Sequence, residues 1–146
     1  KTIPVREFFT GPGKNLLKPG DMVLSINFPI PEKHAGRYIK LGRNRLSDMS
    51  IVGVTALAKK DSSCPSGVRF SFSIASVAPV PFVPVKAEEV LASKSIDDAI
   101  IMEAAQAAMD SVNPIDDVRG SATYRRYMVR NLVKRAITET LAALNG

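Results

Sequence analysis

With 146 residues, 45% of them apolar and 23% charged, the chain can build one domain with a modest core and is too apolar to be a disordered tail. A formal charge of +6 and an isoelectric point near 9.7 favour anionic partners and say nothing of the fold. One cysteine, Cys64, and one histidine, His34, exclude an internal disulfide and a Cys/His metal tetrahedron, and no run of about 18 apolar residues offers a membrane span.

The opening K-T-I-P-V-R-E-F-F lacks the continuous apolar stretch of a secretory signal; with a single thiol, this predicts a reducing, cytoplasmic setting. Lys1 in place of methionine suggests a partial or processed chain. The first 35 residues are turn-rich, punctuated by Gly11-Pro12-Gly13 and Pro19-Gly20. Between Asp21 and Pro29, Leu24, Ile26 and Phe28 alternate with Val23, Ser25 and Asn27, which predicts a strand stopped by Pro29 and Pro31. A second strand is expected over Gly36–Leu41 and a third over Ile51–Lys60, apolar on both faces and therefore central or covered. Asp61–Gly67 reads as a loop. Phe70, Phe72 and Ile74 then alternate with Ser71, Ser73 and Ala75 in the clearest strand of the sequence.

Pro79, Pro81 and Pro84 form the only linker-like stretch, and beyond it the period lengthens. A short helix is predicted over Lys86–Ala92. A second is capped by Ser95 with Asp98 at the capping-box position, carries Ile100, Ile101, Ala104, Ala105 and Ala108 on one face, and stops at Asn113-Pro114. The last begins near Ser121 and presents Val129, Leu132, Val133, Ala136, Ile137, Thr140 and Leu144 as its apolar stripe. Strands followed by helices, without alternation or internal repeat, predict an α+β fold: an antiparallel sheet of three or four strands with about three helices on one face, in a single domain over residues 1–146.

Conventional catalytic apparatus is missing. His34 lies in a Pro-Glu-Lys-His turn where solvation is the expected fate, and Cys64 has no identifiable base. Gly11-Pro12-Gly13-Lys14 is followed by Asn15 and lacks the spacing of a phosphate loop, and no Gly-x-Gly-x-x-Gly occurs. The pairs Glu88-Glu89, Asp97-Asp98 and Asp116-Asp117 are sequence neighbours, which do not face each other on a helix and suit capping and solvation better than acid–base work. Two basic groups remain. Arg119, Arg125, Arg126, Arg130, Lys134 and Arg135 read mainly as a solvated helix face, with Arg135 able to pair with Glu139. Arg37, Lys40, Arg43 and Arg45 flank Gly42 at a strand–loop junction, and glycine in a cationic loop permits close approach of backbone to an anionic ligand.

Several motifs recur in the order of a known family. They are Val5-Arg6-Glu7-Phe8-Phe9-Thr10-Gly11-Pro12; Leu17-Lys18-Pro19-Gly20-Asp21; Tyr38-Ile39-Lys40 with Arg45 and Asp48; Val52-Gly53-Val54; and Asp116-Asp117-Val118-Arg119-Gly120-Ser121-Ala122-Thr123-Tyr124-Arg125-Arg126. Over essentially its whole length the chain resembles the C-terminal domain of the flavin-binding subunit of molybdenum hydroxylases, the group of xanthine dehydrogenase and the carbon monoxide dehydrogenase flavoprotein. Asp21 stands where Glu is common and Ser50 where Ala is common.

The resemblance implies three or four antiparallel strands with three helices, and a domain that closes over FAD while a preceding domain, not contained in this chain, holds the pyrophosphate. It also implies iron–sulfur and molybdenum subunits or domains as partners. In that family electrons pass from a molybdenum cofactor through 2Fe–2S clusters to FAD and on to NAD or another acceptor, so the resemblance implies a part of an oxidoreductase that is not expected to be active alone. Carried over by position, Lys40, Gly42, Arg43, Arg45 and Asp48 belong to the loop that approaches the flavin, and the Arg119–Arg126 motif orders a helix junction and packs against neighbouring domains. Two readings compete: a basic nucleic-acid-binding module, disfavoured because aromatic residues are not interleaved with the cations, and a structural docking domain that never reaches cofactor.

Overall fold

The computed structural model describes residues 1–44 and 48–146. The architecture is a three-stranded antiparallel sheet of β3 (His34–Leu41), β4 (Val52–Lys60) and β5 (Val68–Ala75), in that spatial order, backed on one face by α2 (Val85–Ser93) and α4 (Ala122–Asn145), with α3 (Asp98–Ser111) packed between and against these two helices. Ahead of it lie a single helical turn, α1 (Val5–Phe8), and a small hairpin of β1 (Phe9–Gly11) and β2 (Lys14–Asn15). The expected α+β layering is what forms.

Alternation sorts the sheet into two unlike faces. Toward the helices point Ala35 and Ile39 of β3, Val52, Val54, Ala56 and Ala58 of β4, and Val68, Phe70, Phe72 and Ile74 of β5, all buried. Phe70 and Phe72 stack two residues apart, with ring centroids separated by 5.6 Å. The small residues Ala104, Ala105 and Ala108 of α3 and Ala136 of α4 are fully covered, letting the helices close on one another. β4 is central, as its apolar run predicted, but it is covered on one side only: Thr55 and Leu57 face outward and are exposed.

The two edges of the sheet differ. Phe82 forms a two-bond bridge with Ile74, and the Glu88 carboxylate of α2 accepts the Phe72 amide at 2.8 Å, so the β5 edge is blunted. The outer edge of β3 pairs with no strand among the described residues.

Two expectations need correction. Asp21–Pro29 is not a strand; among the described residues nothing offers it a neighbour to take its hydrogen bonds or a surface to cover its apolar row. α3 is capped by Asp97, whose carboxylate accepts the Ile100 amide at 2.8 Å, and not by Ser95. Asp97 caps as well as serine and adds negative charge at the positive end of the helix, while the intervening Ile96 packs against the core. The last helix begins as expected: Ser121 Oγ accepts the Tyr124 amide at 3.1 Å.

Arg125, near the start of α4, is buried. It donates to the carbonyls of Ile51 and Ser76, both at 2.9 Å, and lies 2.6 Å from Asp117. Replacing Arg125 by alanine strands two carbonyls and a carboxylate, so urea unfolding should show a loss of about 3 kcal/mol, against about 1 kcal/mol for Asp97→Ala at its exposed cap. Equal losses would contradict this account.

Candidate functional site

Part of the uncovered sheet face is built of short side chains. Register sets Lys40 opposite Gly53 and Gly53 opposite Ala75; the next outward row is Tyr38, Thr55 and Ser73, and the one after is Gly36, Leu57 and Ser71. Around Gly53 the tall side chains are Lys40, Leu57 and Tyr38, which is 60% exposed, and the His34–Lys59–Arg69 row lies further along the same face. The Tyr38 ring leans across β4 over Gly53: a Cβ on that glycine would lie 3.0 Å from the Tyr38 hydroxyl and 3.3 Å from Cε2. The absence of a side chain at residue 53 thus lets a phenol ring rest on the sheet while its other side remains open to solvent.

Lys40 shares this face two residues further along β3 and donates from Nζ to the Asp48 carbonyl. Asp48 organises the loop beyond the strand. Its carboxylate accepts from the Arg43 amide at 2.6 Å and from Arg43 Nε at 3.2 Å. These contacts, the backbone amide first, hold its pKa below the ordinary 3.8. Gly42 eases the close return of the chain, since a Cβ there would press on the Asn44 carbonyl at 3.2 Å. Beside the loop an open cavity of about 450 Å3 is lined by Tyr38, Lys40, Arg43, Asn44, Arg135 and Glu139, among others. Arg135 and Glu139 close one side of it as an ion pair of 2.6 Å on α4.

Of the residues singled out in the sequence, Lys40, Gly42, Arg43 and Asp48 therefore come together, and Asp48 is the pin that joins the others. Arg45 lies outside the described residues. The second basic group does not form a continuous free stripe. Arg125 is buried, Arg119 and Arg125 both meet Asp117, Arg126 lies 3.7 Å from Asp110, and Arg130 sits over the Tyr127 ring at 5.5 Å. Tyr38 and Gly53 were quoted as parts of motifs without a role. Only the register, which brings residue 53 beneath residue 38, reveals that they act together.

The family model of the CO dehydrogenase flavoprotein C-terminal domain matches residues 37–140. The chain belongs to that family. It is 27% identical over 146 residues to the xanthine dehydrogenase FAD-binding subunit of Escherichia coli, covering 99% of this chain and 49% of the relative. It is 28% identical to the carbon monoxide dehydrogenase medium chain of Hydrogenophaga pseudoflava, over 97% of this chain and 49% of the relative. The solved carbon monoxide dehydrogenase from that organism, in a form lacking the Mo-pyranopterin moiety, superposes with a TM-score of 0.88 at 28% identity, covering 97% of this chain and 49% of the other. Reconstituted CO dehydrogenase from Oligotropha carboxidovorans gives a TM-score of 0.84 at 25% identity, with 94% and 47% covered. The chain thus spans about half the length of these relatives. Among the described residues no helix is long and apolar enough to cross a membrane.

Two outcomes test the site's geometry. In Gly53→Ala the new methyl should displace the Tyr38 ring, shifting its NMR resonances while the backbone signals of β3 and β4 stay in place; unmoved ring resonances would contradict the close approach. On acidification, the Arg43 amide resonance should follow Asp48 with a midpoint below 3.8. Because the folded pKa is lowered, the loop contact contributes stability above the unfolded value and loses it as pH falls through the folded one. A midpoint at or above 3.8 would remove the Asp48 pin.

Proposed function

We propose that this chain is the flavin-covering domain of a FAD subunit in a molybdenum hydroxylase of the xanthine dehydrogenase and CO dehydrogenase kind. The observation that carries the proposal is the Tyr38 ring laid over Gly53, open on its far side, with Lys40 and the Gly42–Asp48 loop beside it. A flat aromatic on a shelf of small residues suits one face of an isoalloxazine, because offset ring stacking needs an unobstructed plane. The same residues do not make a complete cradle for FAD. The chain has no Gly-x-Gly-x-x-Gly and no phosphate loop, so the pyrophosphate would be held by another part of the subunit. The fit is that of a cover.

In this reading Tyr38 stacks on the ring system and excludes water from one side. Lys40 donates to a backbone carbonyl and forms no ion pair among the described residues, and a cation beside the tyrosine favours a reduced, anionic ring and attracts an anionic acceptor. Asp48 and Gly42 shape the turn at Arg43, and the resemblance assigns Arg45 to the same flavin-facing segment. Bound FAD would supply the electron-transfer chemistry, between 2Fe–2S clusters fed by a molybdenum cofactor and NAD or another acceptor. Iron–sulfur and molybdenum subunits and the FAD-binding portion of the same subunit are the partners this implies, in a cytoplasmic assembly, and the 146 residues alone would not turn over.

The test uses the native assembly. Tyr38→Ala should weaken FAD retention about tenfold, as expected for the loss of one aromatic stack worth about 1–1.5 kcal/mol. Lys40→Ala should lower the flavin midpoint potential and slow reduction of an anionic acceptor. Unchanged affinity, potential and acceptor kinetics in both variants would leave a docking domain that never reaches the cofactor.

A further inference from the structure

The open face of the sheet carries cations at both ends, and only the Lys40 end belongs to the site described above. At the far end the outward row is His34 of β3, Lys59 of β4 and Arg69 of β5, set side by side by the register. Residues directly opposite each other have Cβ atoms about 5 Å apart, and like charges so placed repel. Arg69 is answered by a carboxylate: it donates from Nε to Asp61 Oδ2 at 2.6 Å and from Nη2 to Ser63 Oγ at 3.2 Å. Ser63 first, and then Arg69, hold the Asp61 carboxyl well below the ordinary 3.8, so Asp61 stays ionised and engaged there.

Lys59 has no such answer. It is half-buried between His34 and Arg69 and makes no hydrogen bond or ion pair among the described residues. Lys60, the next residue, turns away to Asn145 Oδ1 at 2.9 Å and adds a second positive charge at this corner. His34 donates from Nδ1 to the Pro31 carbonyl at 2.7 Å, because a carbonyl can only accept, and its Nε2 is left open. Arg69 likewise keeps Nη1 unused. The row thus offers one uncompensated charge and open nitrogens on both sides of it, an arrangement that an anion with several oxygens relieves.

Its place on the face narrows the anion. His34 stands four residues before Tyr38 on the same side of β3, about 14 Å away at the rise of an extended strand. Gly36, Leu57 and Ser71 form the row between His34 and Tyr38. An exposed aromatic plane with cations further along one surface suits a ligand that carries a flat ring at one end and phosphates in its middle. We propose that His34, Lys59 and Arg69 form a diphosphate subsite for the ADP portion of a dinucleotide laid on the open sheet face. Lys59 carries the charge, and Arg69 Nη1 and protonated His34 Nε2 add directed donors. No glycine loop accompanies them, so the row steadies a diphosphate whose main grip lies elsewhere. Two ligands present this chemistry: the flavin dinucleotide itself and a nicotinamide dinucleotide acting as acceptor. The ring's place at Tyr38 rests on the function proposed above; the chemistry of the row does not.

Equilibrium binding of ADP to the full-length FAD subunit in its native assembly, with flavin bound and after its removal, tests this. Lys59→Ala should weaken ADP about tenfold, the factor expected for one charge-assisted contact, and Lys59→Arg should restore it. Adenosine, which lacks the phosphates, should bind equally to all three proteins. Lys59-dependent ADP binding confined to the flavin-free assembly assigns the row to the flavin's own diphosphate; the same dependence with flavin in place assigns it to a second nucleotide. ADP affinity unchanged by Lys59→Ala in both forms, or an equal loss for adenosine and ADP, would overturn the subsite. Lys59-dependent ADP binding together with unaltered flavin properties in Tyr38→Ala would sink the covering function and leave the subsite standing.

Discussion

The guanidinium of Arg125 sits where three separate parts of the chain converge: the residue preceding β4, the residue following β5, and the turn that leads into α4. It donates to Ile51 and Ser76 and lies 2.6 Å from Asp117 through Nη2, a contact that is electrostatic and not a well-directed hydrogen bond. Asp117 is held ionised first by the Arg119 amide and then by Arg125, which places its pKa below the ordinary 3.8. Ser76 adopts a positive φ of 66°, a conformation unfavourable for a residue with a Cβ, and its carbonyl is one of the two that accept from Arg125 Nη1. A buried cation is tolerable only when it is paired and hydrogen-bonded, and here every partner comes from a different element. That requirement fixes the start of α4 against the ends of β4 and β5.

The consequence reaches the proposed site through packing. α4 is about 36 Å long from its 24 residues. Val129, Val133, Ala136 and Ile137 lie fully buried along it, and it backs both β3 and β4. With the helices filling one face, the other is free, and the part of it beside Tyr38 is low because Gly53, Thr55, Ser73 and Ala75 are all short. Tyr38 needs both conditions: a strand braced from behind and a glycine in front.

Much of this was legible in the sequence, and what was not has identifiable causes. The 3.6-residue period located α3 and α4, and the two-residue period located β5, because burial on one face repeats with the backbone geometry. The same rule misled at Asp21–Pro29, since alternation reports that a segment has an apolar face and is silent on who covers it. For β4, an apolar run predicted a central or covered strand; it is central, and its outer face, with Leu57, stays open. Arg125 was counted with the surface cations although it stands four residues before Val129, on the same helical row as the core. That spacing was the available signal, and charge outweighed it in the reading. The Tyr38–Gly53 contact depends on strand register, which no local pattern encodes.

The charge of +6 first suggested a basic surface awaiting an anion, and the pairing within the chain redistributes that charge. Arg69 is tied to Asp61 at 2.6 Å, Arg43 to Asp48, Arg119 and Arg125 to Asp117, and Arg135 to Glu139. Each of these arginines has a carboxylate close by, so its field is largely cancelled a few ångströms away. Lys40 differs from Arg43 in this respect: it is held by a carbonyl that carries no net charge, and the nearby Asp48 carboxylate is engaged by Arg43. Of these two cations next to Tyr38, Lys40 is the one whose charge is better placed to act on a ring stacked there. Arg43 serves to keep the loop that positions it closed.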